Sequence, residues 1–149
     1  MNDKACAVKV TAVSPTAINS KTLINLYASQ PAAGFPAPGD DLVERALDLN
    51  DLLVDNPSAT FFVRVAGDSM EGAKIFDGDI LVVDRAVEAK SGSIVVAAVY
   101  GDLVVKRLKQ TQSGLALVSE NEHYEPILVE NTEECFIWGV VTGLARVIK

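Results

Sequence analysis

Ile94-Val95-Val96-Ala97-Ala98-Val99-Tyr100-Gly101-Asp102-Leu103-Val104-Val105-Lys106-Arg107-Leu108 is the stretch on which the fold turns. Two apolar, β-branched runs stand on either side of Gly101-Asp102, and two such residues between apolar runs read as a hairpin loop. Ile94–Tyr100 is expected to pair antiparallel with Leu103–Leu108, which sets Lys106 near the middle of a strand. Alternation puts Lys106 on the same strand face as Val104 and Leu108, an apolar setting for an amine. Arg107 is flanked by Val105 as well, so on an edge hairpin both cations would simply snorkel to water.

Outward from the hairpin the chain keeps this texture. Thr60–Ala66, Ile80–Asp84, Leu115–Ser119, Ile127–Val129 and Phe136–Val147 read as further strands. They are separated by turn signals at Asp77-Gly78-Asp79, Ser91-Gly92-Ser93, Ser113-Gly114 and Glu120-Asn121. Short strands at this spacing predict a mainly β domain, a small barrel or sandwich.

Upstream the pattern changes. Leu42, Ala46, Leu49 and Leu53 recur at the spacing of one helical face, with Asp48 placed to cap a short final turn before Pro57. Val8, Val10, Ala12 and Val13 hint at a short strand, and Ser20 to Tyr27 suits a turn or two of helix. Between them and the body, residues 28–39 hold three prolines and two glycines in twelve residues. That composition excludes helix and central strand and predicts an extended, polyproline-like segment. The expected division is a flexible N-terminal arm, 1–39, and a domain, 40–149.

At 149 residues, 49% apolar and 22% charged, the chain has globular composition and the length of one ordinary domain. Its formal charge is −7, unevenly spread. Residues 1–33 carry Lys4, Lys9 and Lys21 against Asp3, a net +2, and the remainder carries −9. An acidic body argues against a large phosphate-binding surface and against direct sequence-specific DNA binding. Cys6 and Cys135 are too few and too far apart for a disulfide framework or a zinc site. Cys135, before Phe136-Ile137-Trp138, reads as a small core residue, and Cys6 as an exposed thiol. No metal or cofactor is called for. The absence of a long apolar run or a signal core predicts a protein of the cytoplasm, without membrane contact.

Val65-Ala66-Gly67-Asp68-Ser69-Met70 follows a predicted strand, and Lys106 comes 37 positions after Ser69. Gly67-Asp68-Ser69 by itself is a tight turn with Asx-type hydrogen bonds. A serine hydroxyl is a poor nucleophile without a base to take its proton. The single histidine, His123, sits in the acidic, turn-like Glu120-Asn121-Glu122-His123 and reads as a surface residue. A lysine can serve instead if burial disfavours its ammonium form. Ser69 and Lys106 are thus candidates for a nucleophile and its base.

Gly67-Asp68-Ser69-Met70, followed by Asp77-Gly78-Asp79 and the valine-flanked Lys106, resembles the self-cleaving Ser-Lys peptidase domain shared by LexA-type repressors and UmuD-type mutagenesis proteins. The resemblance runs from about Ala33 to the C-terminus. Gly34-Phe35-Pro36, Asp48-Leu49-Asn50, Pro57-Ser58-Ala59-Thr60 and Gly139-Val140-Val141 are most similar to the UmuD type. It implies a LexA-like β-barrel or sandwich in which Ser69 attacks, Lys106 is the neutral base and Ala33-Gly34 is the bond cut. Gly67, Asp68 and Met70 would shape the turn, and the Ser69 backbone N–H with a neighbouring amide would hold the oxyanion. The residues suit that substrate: alanine before the bond and glycine after it admit close backbone approach. Surrounding prolines keep a tethered arm extended. The segment before the bond matches the UmuD type poorly, and Pro31 stands two residues before Ala33.

The resemblance also implies a biological setting. It is that of an SOS, damage-inducible homodimer, stimulated to cut itself by a recombinase filament on single-stranded DNA. The trimmed form would be an accessory subunit of an error-prone, Y-family translesion polymerase. The alternatives are a self-cleaving transcriptional repressor, for which residues 1–33 are too short to hold a three-helix DNA-reading module, an inactive dimerisation scaffold, and a signal-peptidase-like enzyme, which would normally need a membrane anchor.

Overall fold

The computed structural model of the chain describes residues 9–15, 21–27, 43–129 and 135–149. In chain order its strands are β1 (Lys9–Pro15), β2 (Ile24–Tyr27), β3 (Val43–Leu47), β4 (Thr60–Ala66), β5 (Ile80–Asp84), β6 (Ile94–Val99), β7 (Asp102–Thr111), β8 (Gly114–Val118), β9 (Ile127–Leu128) and β10 (Cys135–Ala145). A short helix, α1 (Leu49–Leu53), and two 3₁₀ turns, Pro57–Ala59 and Glu71–Ala73, complete the described elements. The chain divides into two compact units, Met1–Thr16 with Asn56–Lys149, and Ala17–Asp55.

The larger unit is one antiparallel sheet in the order β1-β4-β5-β10-β6-β7-β8-β9. A further bridge, Lys9 to Val104, joins β1 to β7 and closes the first six strands on themselves. The fold is the expected mainly β barrel. β10 turns the corner: Cys135–Val140 pairs with β6 and Val140–Ala145 with β5. Register shifts at Ile137/Gly139 and Val141/Gly143 supply the bend, as bulges do.

Two clusters of buried side chains explain why the central strands read as unbroken apolar runs. Val95, Ala97, Val99, Val104 and Leu108 join Leu117, Cys135 and Val140 in one. Val96 and Val105 join Val63, Val65, Met70, Ile75, Leu81 and Val83 in the other. β6 and β7 are therefore covered on both faces, and strands buried on both faces lose hydrophobic alternation. Cys135 is the small core residue its context predicts.

The hairpin forms, one residue out of place. Val99 pairs with Asp102, so the loop is Tyr100-Gly101 and not Gly101-Asp102. Both loop residues take positive φ, 49° and 86°, as the preferred two-residue hairpin turn requires. Glycine fills the second central position, and Asp102 is free to join the ladder.

Residues 9–15, which the sequence assigns to the arm, form the hinted strand and pair with β4. In the smaller unit two helical expectations are overturned. Ile24–Tyr27 and Val43–Leu47 are antiparallel strands, not helix. Only Leu49–Leu53 is helical, capped by Asp48, whose Oδ1 accepts from Asn50 N at 2.8 Å. The four-three-four spacing mimics a helical face, yet Ala46 and Leu49 are exposed, so no buried stripe enforces a long helix. Leu42 and the polyproline-like segment lie outside the described residues.

Candidate active site

The turn after β4 is held from below by its neighbour. Val65 N donates to Asp79 O (3.0 Å) and Gly78 N to Val65 O (2.8 Å). Gly67, at φ 108°, takes a conformation L side chains rarely adopt and donates its N–H to Asp77 Oδ1 (3.0 Å). Met70 is wholly buried in the core, which pins the residue beside it. Ser69 is brought to zero exposure between an exposed Asp68 and that anchor.

Lys106, in mid-β7, is also wholly buried and is the largest fully buried side chain described. It shares its strand face with Val104 and Leu108, as alternation predicts. Its Nζ lies 3.4 Å from Ser69 Oγ and donates to Ser119 Oγ at 2.6 Å. Removing an ammonium from water disfavours the charged form, which is the condition a lysine base needs. The Tyr124 ring lies over the amine, 5.6 Å from Nζ to the ring centroid.

Ser119 and Tyr124 were not singled out in the sequence. β7 and β8 pair with Arg107 opposite Val118. One further step in that register sets Ser119 across from Lys106, so the Ser113-Gly114 turn signal held the information. Tyr124 carries no comparable signal, because a loop folds it back. Its hydroxyl bonds the Asp68 carboxylate, and that acceptor raises the phenol's pKa above its ordinary value. Asn121 Nδ2 donates to Asp68 O (3.1 Å), and Gly72 N to Glu120 O (2.7 Å). His123 is exposed, as expected, with its N–H on Asn121 Oδ1.

Beneath the turn, Arg146 grips the buried Asp79 carboxylate through Nε and a second guanidinium nitrogen, each at 2.7 Å. That hydrogen bonding, with the Phe76 amide, holds Asp79 below the usual carboxylate range against the opposing effect of burial. Ser69, Lys106, Gly67, Asp68 and Met70 thus lie together. Ala33 and Gly34 lie outside the described residues. Among the described residues no group of three or more His, Cys, Asp or Glu side chains is placed to hold a metal ion. No described helix is long and apolar enough to cross a membrane.

A closed antiparallel sheet presenting a buried serine to a buried amine is an arrangement suited to a serine hydrolase. Residues 25–142 match the model of the Peptidase S24-like family, and the chain belongs to that family of self-cleaving serine peptidases. It is 42% identical over 120 residues to Protein MucA of Salmonella typhimurium, covering 80% of this chain and 82% of that one. To Protein ImpA of Shigella flexneri it is 43% identical over 118 residues, 78% of this chain and 79% of the other. The LexA repressor of Bordetella petrii is 40% identical over 116 residues, which span 77% of this chain and 51% of the repressor. The resemblance to the LexA/UmuD family holds.

Proposed function

We propose that this protein cuts its own Ala33-Gly34 bond, with Ser69 as nucleophile and Lys106 as base. Ser69 Oγ attacks the Ala33 carbonyl carbon while its proton passes to the neutral Lys106 amine. The Ser69 N–H and a neighbouring amide receive the oxyanion, with Gly67, Asp68 and Met70 shaping the turn that presents them. The Lys106 ammonium returns the proton to the departing Gly34 nitrogen, and water then releases the acyl group from Ser69. The products are residues 1–33 and a body of 116 residues. The bond lies in the arm, 1–39, of which residues 9–15 are paired to β4, and 40–149 is the peptidase domain, so effective concentration replaces affinity. The observation that carries this reading is a fully buried Lys106 Nζ within 3.4 Å of a fully buried Ser69 Oγ.

In the same reading the protein is a cytoplasmic SOS mutagenesis factor. A recombinase filament on single-stranded DNA stimulates the cut, and the trimmed homodimer serves a Y-family translesion polymerase. The family membership and the likeness to MucA and ImpA support this reading.

Purified protein held at about pH 10, where more lysine is neutral, releases a fragment whose N-terminal sequence begins at Gly34. Ser69→Ala and Lys106→Ala each abolish it while far-ultraviolet circular dichroism stays unchanged. An intact wild-type chain, or persistent cleavage in either variant, refutes the assignment.

A further inference from the structure

We propose that Ser119 is a positioning residue, one that sets the rotation of the Lys106 amine so that its lone pair faces Ser69; the proposal rests on Lys106 being the base. A neutral amine has a single lone pair and N–H groups that rotate about Cε–Nζ among three staggered settings. Only an amine whose lone pair points at the serine hydroxyl can take its proton. The contact at 2.6 Å to Ser119 Oγ is short and the one at 3.4 Å to Ser69 Oγ is long. Ser119 therefore holds an N–H of Lys106, and the settings left include the one that turns the lone pair to Ser69. After proton transfer the same contact keeps the ammonium in place while it delivers a proton to the leaving nitrogen.

The placement of Ser119 is fixed by both halves of the pair it serves. On the lysine side, it stands one step beyond the Arg107–Val118 pair that ends the β7–β8 ladder, across from Lys106, and Arg107, the next residue on β7, pairs with the Glu120 carboxylate and donates to Gly92 O (2.6 Å). On the serine side, Gly72 N holds Glu120 O, so closely that a Cβ at position 72 would stand 2.5 Å from that oxygen. Asn121 Nδ2 reaches the carbonyl of Asp68, which precedes the nucleophile. Ser119 is itself 8% exposed, so water does not readily replace its hydroxyl.

Full-length wild type, Ser119→Ala and Ser119→Thr are followed for release of the Gly34 fragment between about pH 7 and about pH 11, a span bracketing ordinary lysine titration. In Ser119→Ala the limiting alkaline rate falls about tenfold, within the roughly hundredfold that a misplacement of about 1 Å can cost. The pH of half-maximal rate also moves down, because an acceptor for the ammonium has gone. Ser119→Thr, which keeps the hydroxyl, recovers the limiting rate. A Ser119→Ala profile unchanged in height and midpoint overturns the proposal. So does a slower rate with an unmoved midpoint and a lowered urea midpoint, which marks a packing role alone. Wild type that never yields the fragment instead refutes the nucleophile and base assignment, a separate failure.

Discussion

The barrel around Lys106 and the small unit of β2, β3 and α1 use apolar residues in opposite ways. In the barrel, Val63, Leu81, Val95, Val96, Val104, Val105 and Leu117 have no exposed surface. In the small unit, Leu23, Ile24, Leu49 and Leu52 are 52–69% exposed. Burial on two faces makes the barrel a rigid mould, and such a mould can keep the Lys106 amine out of water beside Ser69 and Ser119. Those outward-facing side chains add little, and the described residues of the unit are joined by β2–β3 pairing, by Asp48, which accepts from Asn50 N and Thr22 N, and by the Lys21–Asp51 ion pair.

The sharpest test of that contrast sets two leucines against each other. Leu81→Ala removes a fully buried side chain and is expected to cost about 2–5 kcal/mol in urea unfolding. Leu49→Ala, at a residue 62% exposed, stays within about 0.5 kcal/mol. Equal losses would erase the distinction between the two regions.

Gly72→Ala probes the seam between the nucleophile turn and the loop bearing Ser119. The added methyl meets a backbone carbonyl, which cannot rotate away as a side chain would. Destabilisation of about 1–3 kcal/mol is expected, with a slower self-cleavage that outweighs the stability loss. Unaltered cleavage would show the seam to be loose.

The smallest effect concerns acid. Asp79 is held below its ordinary pKa chiefly by Arg146, so its stabilising contribution is complete above the normal carboxylate range and lost as pH falls through its depressed value. Arg146→Met should lower the thermal midpoint at neutral pH, and the gap to wild type should close below about pH 3.8, the ordinary Asp value. A gap independent of pH would mean that Arg146 acts through its packing on Phe76, 4.8 Å from guanidinium carbon to ring centroid.

Legibility followed the same divide. Thr60–Ala66 and Ile80–Asp84 have the boundaries their composition predicts, because turn residues close to both ends leave few other solutions. The hairpin slipped by one residue, since Tyr100 had to be sacrificed to positive φ before Gly101 could serve the turn. In the small unit, residues 43–47 read as helix because a four-three-four spacing says nothing about whether those side chains are ever buried. Ser69 and Lys106 were legible as candidates from residue type, and the resemblance to the Ser-Lys peptidases paired them. Ser119 needed the β7–β8 register, and Tyr124 needed the fold of a loop.

What the sequence determined alone is the kind of molecule: short apolar runs parted by turn residues specify a mainly β domain, and a lysine set among valines marks a candidate base without fixing whether it is buried. Which neighbours it received was a tertiary decision. Strand register brings Ser119 to the amine, and the loop from Glu120 to Tyr124 closes against Asp68 and Gly72 through contacts spanning dozens of residues. Hydrogen bonds of that range depend on the angle at which the strands close, and no local pattern of side chains encodes it.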